Sequence, residues 1–273
     1  MFPYGSIPSF LSISRSVILL GRVRQQRPIF VVVQRTSPIL QNTCRRKVKM
    51  SMPDASLQSL ILRAAQEVRD YQARIQREPT KARVSISGEP YVLFPVQPLA
   101  LALPQMINET FGLHIGDKVM YQLGYTIAFM EAERFFLKRN ISPKELAYRV
   151  ITGPLYFAWT GFGNVELLDL QLCKDYTFHV LWESPNSFSA EAAIASGLRG
   201  RYCYIQAGYA AGWCSAATGM ELACQEIACA AEGIKKCRFL IALSQHLATK
   251  VSDPAFHKPR SSYHSINTTS HIE

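Results

Sequence analysis

Cys203, Glu226, Cys229 and Cys237 follow one another as C-x22-E-x2-C-x7-C. Three thiolates and a carboxylate form a closed ligand shell for Zn²⁺, which favours sulfur and nitrogen and accepts oxygen. Four protein ligands leave no position for water or substrate, so such an ion holds the fold rather than performing chemistry. The filled site would carry net negative charge, which Lys235, Lys236 and Arg238, flanking Cys237, could offset. The spacing is not one of the common finger patterns. Buried, reduced cysteines packing as small hydrophobes are the alternative reading of the same residues. Cys214 and Cys224 lie outside the pattern and read as core thiols.

The elements that would position these ligands can be read from periodicity. A small-residue helix over 202–218 starts beside Cys203 and stops at Gly219. Gly208 and Gly212 leave one face of it almost bare, which calls for close packing against a neighbour. Residues 220–230 and 237–243 read as an antiparallel hairpin, with Cys229 and Cys237 facing each other across the turn. Glu226 is the difficulty. Residues three apart on a regular strand point to opposite faces, so Glu226 and Cys229 can share an ion only if the strand ends or bulges between them.

Upstream, Asp54 or Ser56 caps a helix expected to reach about Gln76, with Leu57, Leu60, Ile61, Ala64, Ala65, Val68 and Tyr71 on one face. Residues 77–81 form a break. Two strands, 83–87 and 91–94, flank a Gly88-Glu89-Pro90 turn. Helices are predicted over 99–111, 115–139 and 143–149, strands over 156–162, 165–172 and 176–183, and a helix over 186–196. Residues 252–273 read as a disordered tail.

The net charge of +10 is unevenly placed: residues 1–53 carry nine Lys or Arg and no acid, and the remaining 21 basic residues face all 20 acids. The folded part is therefore nearly neutral and gives no electrostatic reason for a nucleic-acid partner. The acid-free, Arg- and Ser-containing N-terminus reads as a transit peptide to a mitochondrion or plastid. The alternative is an extension upstream of a start at Met50 or Met52, with a cytoplasmic product. No stretch approaches the roughly 18–20 apolar residues of a membrane span, and seven irregularly spaced cysteines do not suggest a disulfide framework.

The stretch from Cys203 to Cys237 resembles the 4-vinyl reductase domain, as found in the sensor domains of XylR-type bacterial activators. The resemblance is carried by Cys203, Gly208-Tyr209-Ala210-Ala211-Gly212, Ser215, Gln225-Glu226-Ile227-Ala228-Cys229 and Lys236-Cys237-Arg238. More diffuse likeness covers 82–243: the strand pair after Arg83, the helix stop at Gly112, the segment Gly124–Glu133, Gly153-Pro154 and Trp182-Glu183-Ser184. The resemblance implies an α/β (α+β) domain over 82–251, with a mixed antiparallel sheet packed with helices. That fold is shared with a vesicle-tethering subunit and has an internal apolar pocket and a dimer interface. It also implies a structural zinc on Cys203, Glu226, Cys229 and Cys237.

In that family's phenol sensors a Trp and a His grip the ligand hydroxyl. The Trp corresponds to Trp182, but the His falls near Tyr156 or Phe157, and a pocket tyrosine is Cys224 here. These four and Trp213 are the implied pocket residues, although Trp213 and Tyr209 also read as packing. A phosphate loop G-x-x-x-x-G-K-[ST] and a helix-turn-helix are not evident in the chain, so the resemblance concerns the sensor half only. Three functions are expected from this: a zinc-stabilised, dimeric binder or sensor of a small hydrophobic or aromatic molecule, an accessory factor or enzyme of tetrapyrrole metabolism, or an assembly or tethering subunit. Against an enzyme, Gly161-Phe162-Gly163 lacks the rest of a dinucleotide fingerprint and no catalytic constellation is apparent.

Overall fold

A computed structural model describes residues 54–258 and 264–266 of this chain. The basic N-terminal segment, and the organelle address read from it, lie outside the described residues. Helix α1 (Asp54–Gln72) is followed by a three-stranded antiparallel sheet, β1 (Ile75–Glu78), β2 (Arg83–Ile86) and β3 (Glu89–Tyr91). Then come α2 (Leu103–Phe111), α3 (Ile115–Lys138), α4 (Leu146–Trp159), β4 (Val165–Gln171), β5 (His179–Ser184) and α5 (Phe188–Ala195). The chain continues with α6 (Tyr204–Thr218), β6 (Leu222–Ala228), β7 (Cys237–Leu243), α7 (Leu247–Val251) and β8 (His264–Ile266). The second sheet is antiparallel throughout, in the order β6-β7-β5-β4-β8. This is the expected α+β architecture. Among the described residues no helix is long and apolar enough to cross a membrane.

Period-two alternation decides the two faces of the five-stranded sheet. Val180, Trp182, Phe239 and Ile241 belong to the main core, with α4 and α6. Leu181 and Leu240, between them, join Leu168, Ile227 and Phe256 in a second cluster against Leu247 and Val251 of α7. Helix α6 is the spine. A Cβ on Gly208 would stand 1.9 Å from the Tyr121 carbonyl oxygen, and one on Gly212 would stand 2.1 Å from that of Tyr125. Gly124 of α3 meets the Ile205 carbonyl in the same way, at 2.1 Å. Backbone therefore lies on backbone, as the bare glycine face requires. Helix α1 lays Ile61, Ala64, Ala65, Val68 and Tyr71 into the main core.

Four local expectations are corrected. Helix α1 ends at Gln72, and Ile75–Glu78 is a strand paired with β2. Its residues show no apolar alternation because three of the four are exposed, so only the pairing reveals it. The hairpin turns at Ser87-Gly88, both with positive φ, one residue before the expected position. This is the backbone that a two-residue hairpin demands. Beyond Tyr91, residues Val92, Leu93 and Phe94 form no strand and are 74%, 67% and 68% exposed. The strand expected over 156–162 is instead the end of α4, which continues through Gly153-Pro154. Burial of Leu155, Tyr156 and Phe157 against the core outweighs the proline penalty, about 3 kcal/mol in a helix interior.

The segment read as a tail is ordered in part. Pro254–Phe256 forms a turn of 3₁₀ helix capped by Asp253, Phe256 is buried, and β8 pairs with β4. Phe256→Ala should lower stability by about 3 kcal/mol, read as an earlier urea midpoint at unchanged slope. An unmoved midpoint would show that the cluster on this sheet face contributes little.

Candidate metal centre and the adjoining cavity

Strand β6 carries a bulge. Glu226 pairs with Phe239 and Ala228 with Arg238, so Ile227 is the extra residue. The insertion shifts the side-chain parity. Ile227 turns to the outer cluster, while Glu226 and Cys229 share the inner side with Cys203 and Cys237. The four residues are buried and each offers a ligand atom within 4.8 Å of the others. The sulfur separations are 3.9 Å (Cys203–Cys229), 3.7 Å (Cys203–Cys237) and 3.9 Å (Cys229–Cys237). Three sulfurs at about 2.3 Å from one tetrahedral Zn²⁺ would stand about 3.8 Å apart.

The carboxylate fits the same role. Glu226 Oε2 accepts the Cys203 backbone N–H at 3.3 Å, while its Oε1 is buried without a hydrogen-bond partner. An orphaned buried carboxylate oxygen is costly, and an ion at the centre of the three sulfurs would satisfy it. Charge points the same way. Burial, then the nearby Cys229, pushes the Glu226 carboxyl up to about 8. Burial, then the neighbouring thiols, pushes Cys203 up. Cys229 is lowered to about 2 because the Cys203 and Cys237 thiols donate to it. The bare cluster thus supports one anion and resists more, and a divalent cation reverses that balance.

Neighbouring groups hold the donors. Glu232 Oε2 accepts the Cys229 N–H at 3.1 Å, and Glu232 Oε1 receives Arg201 Nε at 3.0 Å. Arg201 Nη1 donates to the Glu226 carbonyl at 3.1 Å. The Ala230 N–H points at Cys237 Sγ at 3.3 Å, and Ser187 Oγ lies 3.1 Å from Cys203 Sγ. The sequence reading missed this shell, although Glu232, three residues after Cys229, stands at capping-box spacing. It also misassigned the compensating charges. Lys236 pairs with Glu166, and Arg238 Nε donates to Glu183 at 2.9 Å, so neither is directed at the cluster.

Beside the cluster an apolar cavity of about 50 Å³ lies between the sheet and helices α4 and α6. Its wall includes Phe157, Trp182 and Trp213 from the expected set, and no charged side chain. Tyr209, read first as packing, is also in the wall, as are Gly153, Pro154 and Cys214. Tyr156 and Cys224 are not. The Tyr156 hydroxyl turns to that of Tyr91 at 2.9 Å, and the Cys224 backbone N–H donates to Tyr121 Oη at 3.0 Å. Two polar groups of the wall are committed elsewhere: Trp213 Nε1 donates to the Arg149 carbonyl at 3.0 Å, and Tyr209 Oη donates to Glu131 Oε2 at 2.7 Å.

Comparison with known proteins agrees with this geometry. Residues 189–243, which contain all four donors, match the family model of the 4-vinyl reductase domain. The chain is 26% identical over 176 residues to the transcriptional regulatory protein XylR of Pseudomonas putida, a match spanning 63% of this chain and 30% of that protein. Among solved structures, the phenol-responsive sensory domain of the transcription activator PoxR with phenol superposes at a TM-score of 0.58 and 18% identity. That match covers 71% of this chain and 96% of the sensory domain. Trafficking protein particle complex subunit 3 from Naegleria fowleri matches at a TM-score of 0.40 and 14% identity over 55% of this chain. With its bulged cysteine–glutamate hairpin, its glycine-packed helix and its domain match, this chain belongs to the 4-vinyl reductase domain proteins of the XylR type.

Proposed function

We propose that this chain binds and senses a small aromatic molecule in the cavity between α4, α6 and the sheet, with a structural zinc on Cys203, Glu226, Cys229 and Cys237. The observation that carries the reading is an uncharged cavity walled by Phe157, Trp182, Tyr209 and Trp213, next to a donor set that fits a metal. The XylR and PoxR likenesses support a sensing role. When bound, the zinc would supply no chemistry beyond fastening Cys203, at the start of α6, to the β6–β7 hairpin. The cavity's own residues select the ligand.

That selection follows from the wall. Phe157 stands where the resemblance placed a histidine, and the hydroxyl of Tyr209 is already bonded to Glu131. A ligand hydroxyl entering here gives up its water partner without gaining an acceptor among these groups, at a cost of about 1–3 kcal/mol. Toluene should therefore bind about tenfold or more tightly than phenol, measured by calorimetry and by thermal shift. Tighter binding of phenol, or binding of neither, would refute the reading. Trp182→Ala should weaken toluene binding while leaving the metal content unchanged.

The dimer expected from the resemblance is part of the proposal. Ile115, Val119 and Leu123 are 37%, 42% and 37% exposed and recur every fourth residue on one face of α3. Sedimentation should give twice the monomer mass, and Val119→Glu should return the monomer.

A further inference from the structure

We propose that Tyr209 transmits occupancy of the cavity to the β1–β3 hairpin through Glu131, so that a bound ring loosens the hairpin; this rests on the ligand-binding reading above. The cavity holds about 50 Å³, whereas an apolar cavity known to accept benzene is about 150 Å³. A ring can enter only if part of the wall moves.

Most of the wall is pinned. Trp213 is wedged against Gly153, where a Cβ would lie 2.6 Å from the indole, and its N–H is bonded to a carbonyl of α4. The backbone of α6 is locked to α3 at Gly208 and Gly212. Trp182 stacks on Phe239 with ring centroids 4.1 Å apart. Tyr209 packs on Phe157 and Phe162, but its hydroxyl has one anchor, Glu131 Oε2 at 2.7 Å.

Glu131 is shared. Its other oxygen accepts Tyr91 Oη at 3.0 Å, and Tyr91 Oη also meets Tyr156 Oη at 2.9 Å. Tyr91 is the last residue of β3. The hairpin's other ties to α3 are partly exposed ion pairs of Glu89 with Arg134 and Lys138, a type that contributes little. Hydrogen bonds to a half-buried carboxylate contribute more. Glu131 is thus the clasp between cavity wall and hairpin, and displacing Tyr209 removes one of its two tyrosine partners. Beyond the clasp runs the exposed apolar segment Val92, Leu93 and Phe94, which hairpin release would free to move.

Hydrogen exchange on the full-length chain tests this, with toluene as the probe. Tyr209→Phe, which keeps the ring, should raise exchange in peptides covering 75–91 at least fivefold without ligand, while β5–β7 keep their protection. Saturating toluene should do the same to the wild type. Because coupling is reciprocal, Tyr209→Phe should bind toluene several-fold more tightly and show no further rise in hairpin exchange. Tyr91→Phe, which cuts the clasp from the hairpin side, should repeat the ligand-free result if Tyr209→Phe fails to fold. Unchanged hairpin exchange in both variants overturns the clasp. Unchanged or slower hairpin exchange in the toluene-bound wild type overturns the transmission. A wild type that does not bind toluene removes the ligand reading and the transmission with it, while the ligand-free variants still decide whether the clasp holds the hairpin.

Discussion

Cys203→Ser should yield a chain that retains no zinc and does not reach the native state. A structural zinc on thiolates contributes about 10 kcal/mol or more of folding free energy. That is comparable to the whole net stability of a domain, about 5–15 kcal/mol. Cys203 is fully buried between a helix start and a hairpin, so its loss removes the link between them. It also leaves Glu226 and two cysteines crowded without a cation. Elemental analysis of the purified wild type should find one zinc per chain, and a strong chelator should lower its melting temperature by tens of degrees. Acid should release the metal as well, because protons compete for the thiolates. Cys214→Ser is the control: Cys214 is also buried in the core but outside the donor set, so this variant should keep its zinc and lose only about 1 kcal/mol. A folded, metal-free wild type, or a Cys203→Ser variant that melts like the wild type, would refute the zinc.

The second large effect is expected far from any donor. Gly208→Val should destabilise the protein by more than about 3 kcal/mol, at or beyond the usual range for overpacking. The added Cβ would sit 1.9 Å from the Tyr121 carbonyl oxygen, with the Tyr121 carbonyl carbon at 2.8 Å and the Tyr125 nitrogen at 3.0 Å. These are backbone atoms and cannot swing aside as a side chain can. The two helices would have to separate, unpacking Tyr209 and Trp213 on the same helix. A urea midpoint near that of the wild type would show that the α3–α6 contact is softer than its geometry indicates. Gly219 offers the contrast. It ends α6 at φ +71°, and nothing lies within 4 Å of the point where a Cβ would stand. Gly219→Asn, which tolerates that conformation, should therefore cost little.

Both effects were legible in the chain before its coordinates. Glycines four apart announce a bare helix face, and the C-x22-E-x2-C-x7-C pattern demands a bulge between Glu226 and Cys229 if all four residues are to meet. The bulge is present, at Ile227. Local rules failed where the deciding contact is distant. Nothing in Ile75–Glu78 suggests a strand, because its pairing with β2 is the reason it is extended. Gly153-Pro154 suggests a helix end, yet α4 runs through it because its buried face is held against the core.

The site divides in the same way. Residue types and spacing by themselves determined the four donors, the helix and hairpin that carry them, and the aromatic character of the pocket through Trp182, Phe157 and Trp213. Tertiary structure alone decided that Tyr156 and Cys224 turn away from the cavity and that Tyr209 enters its wall. It also decided that Arg201 and Glu232 brace the donors, while Lys236 and Arg238 serve Glu166 and Glu183. The reason is physical. A ligand set and a helix face are short-range or chemically constrained patterns that a chain must display in its own order of residues. Which side chain fills a cavity or pairs with a charge depends on how separate elements are rotated against one another, and here the backbone contact of α3 with α6 sets that rotation.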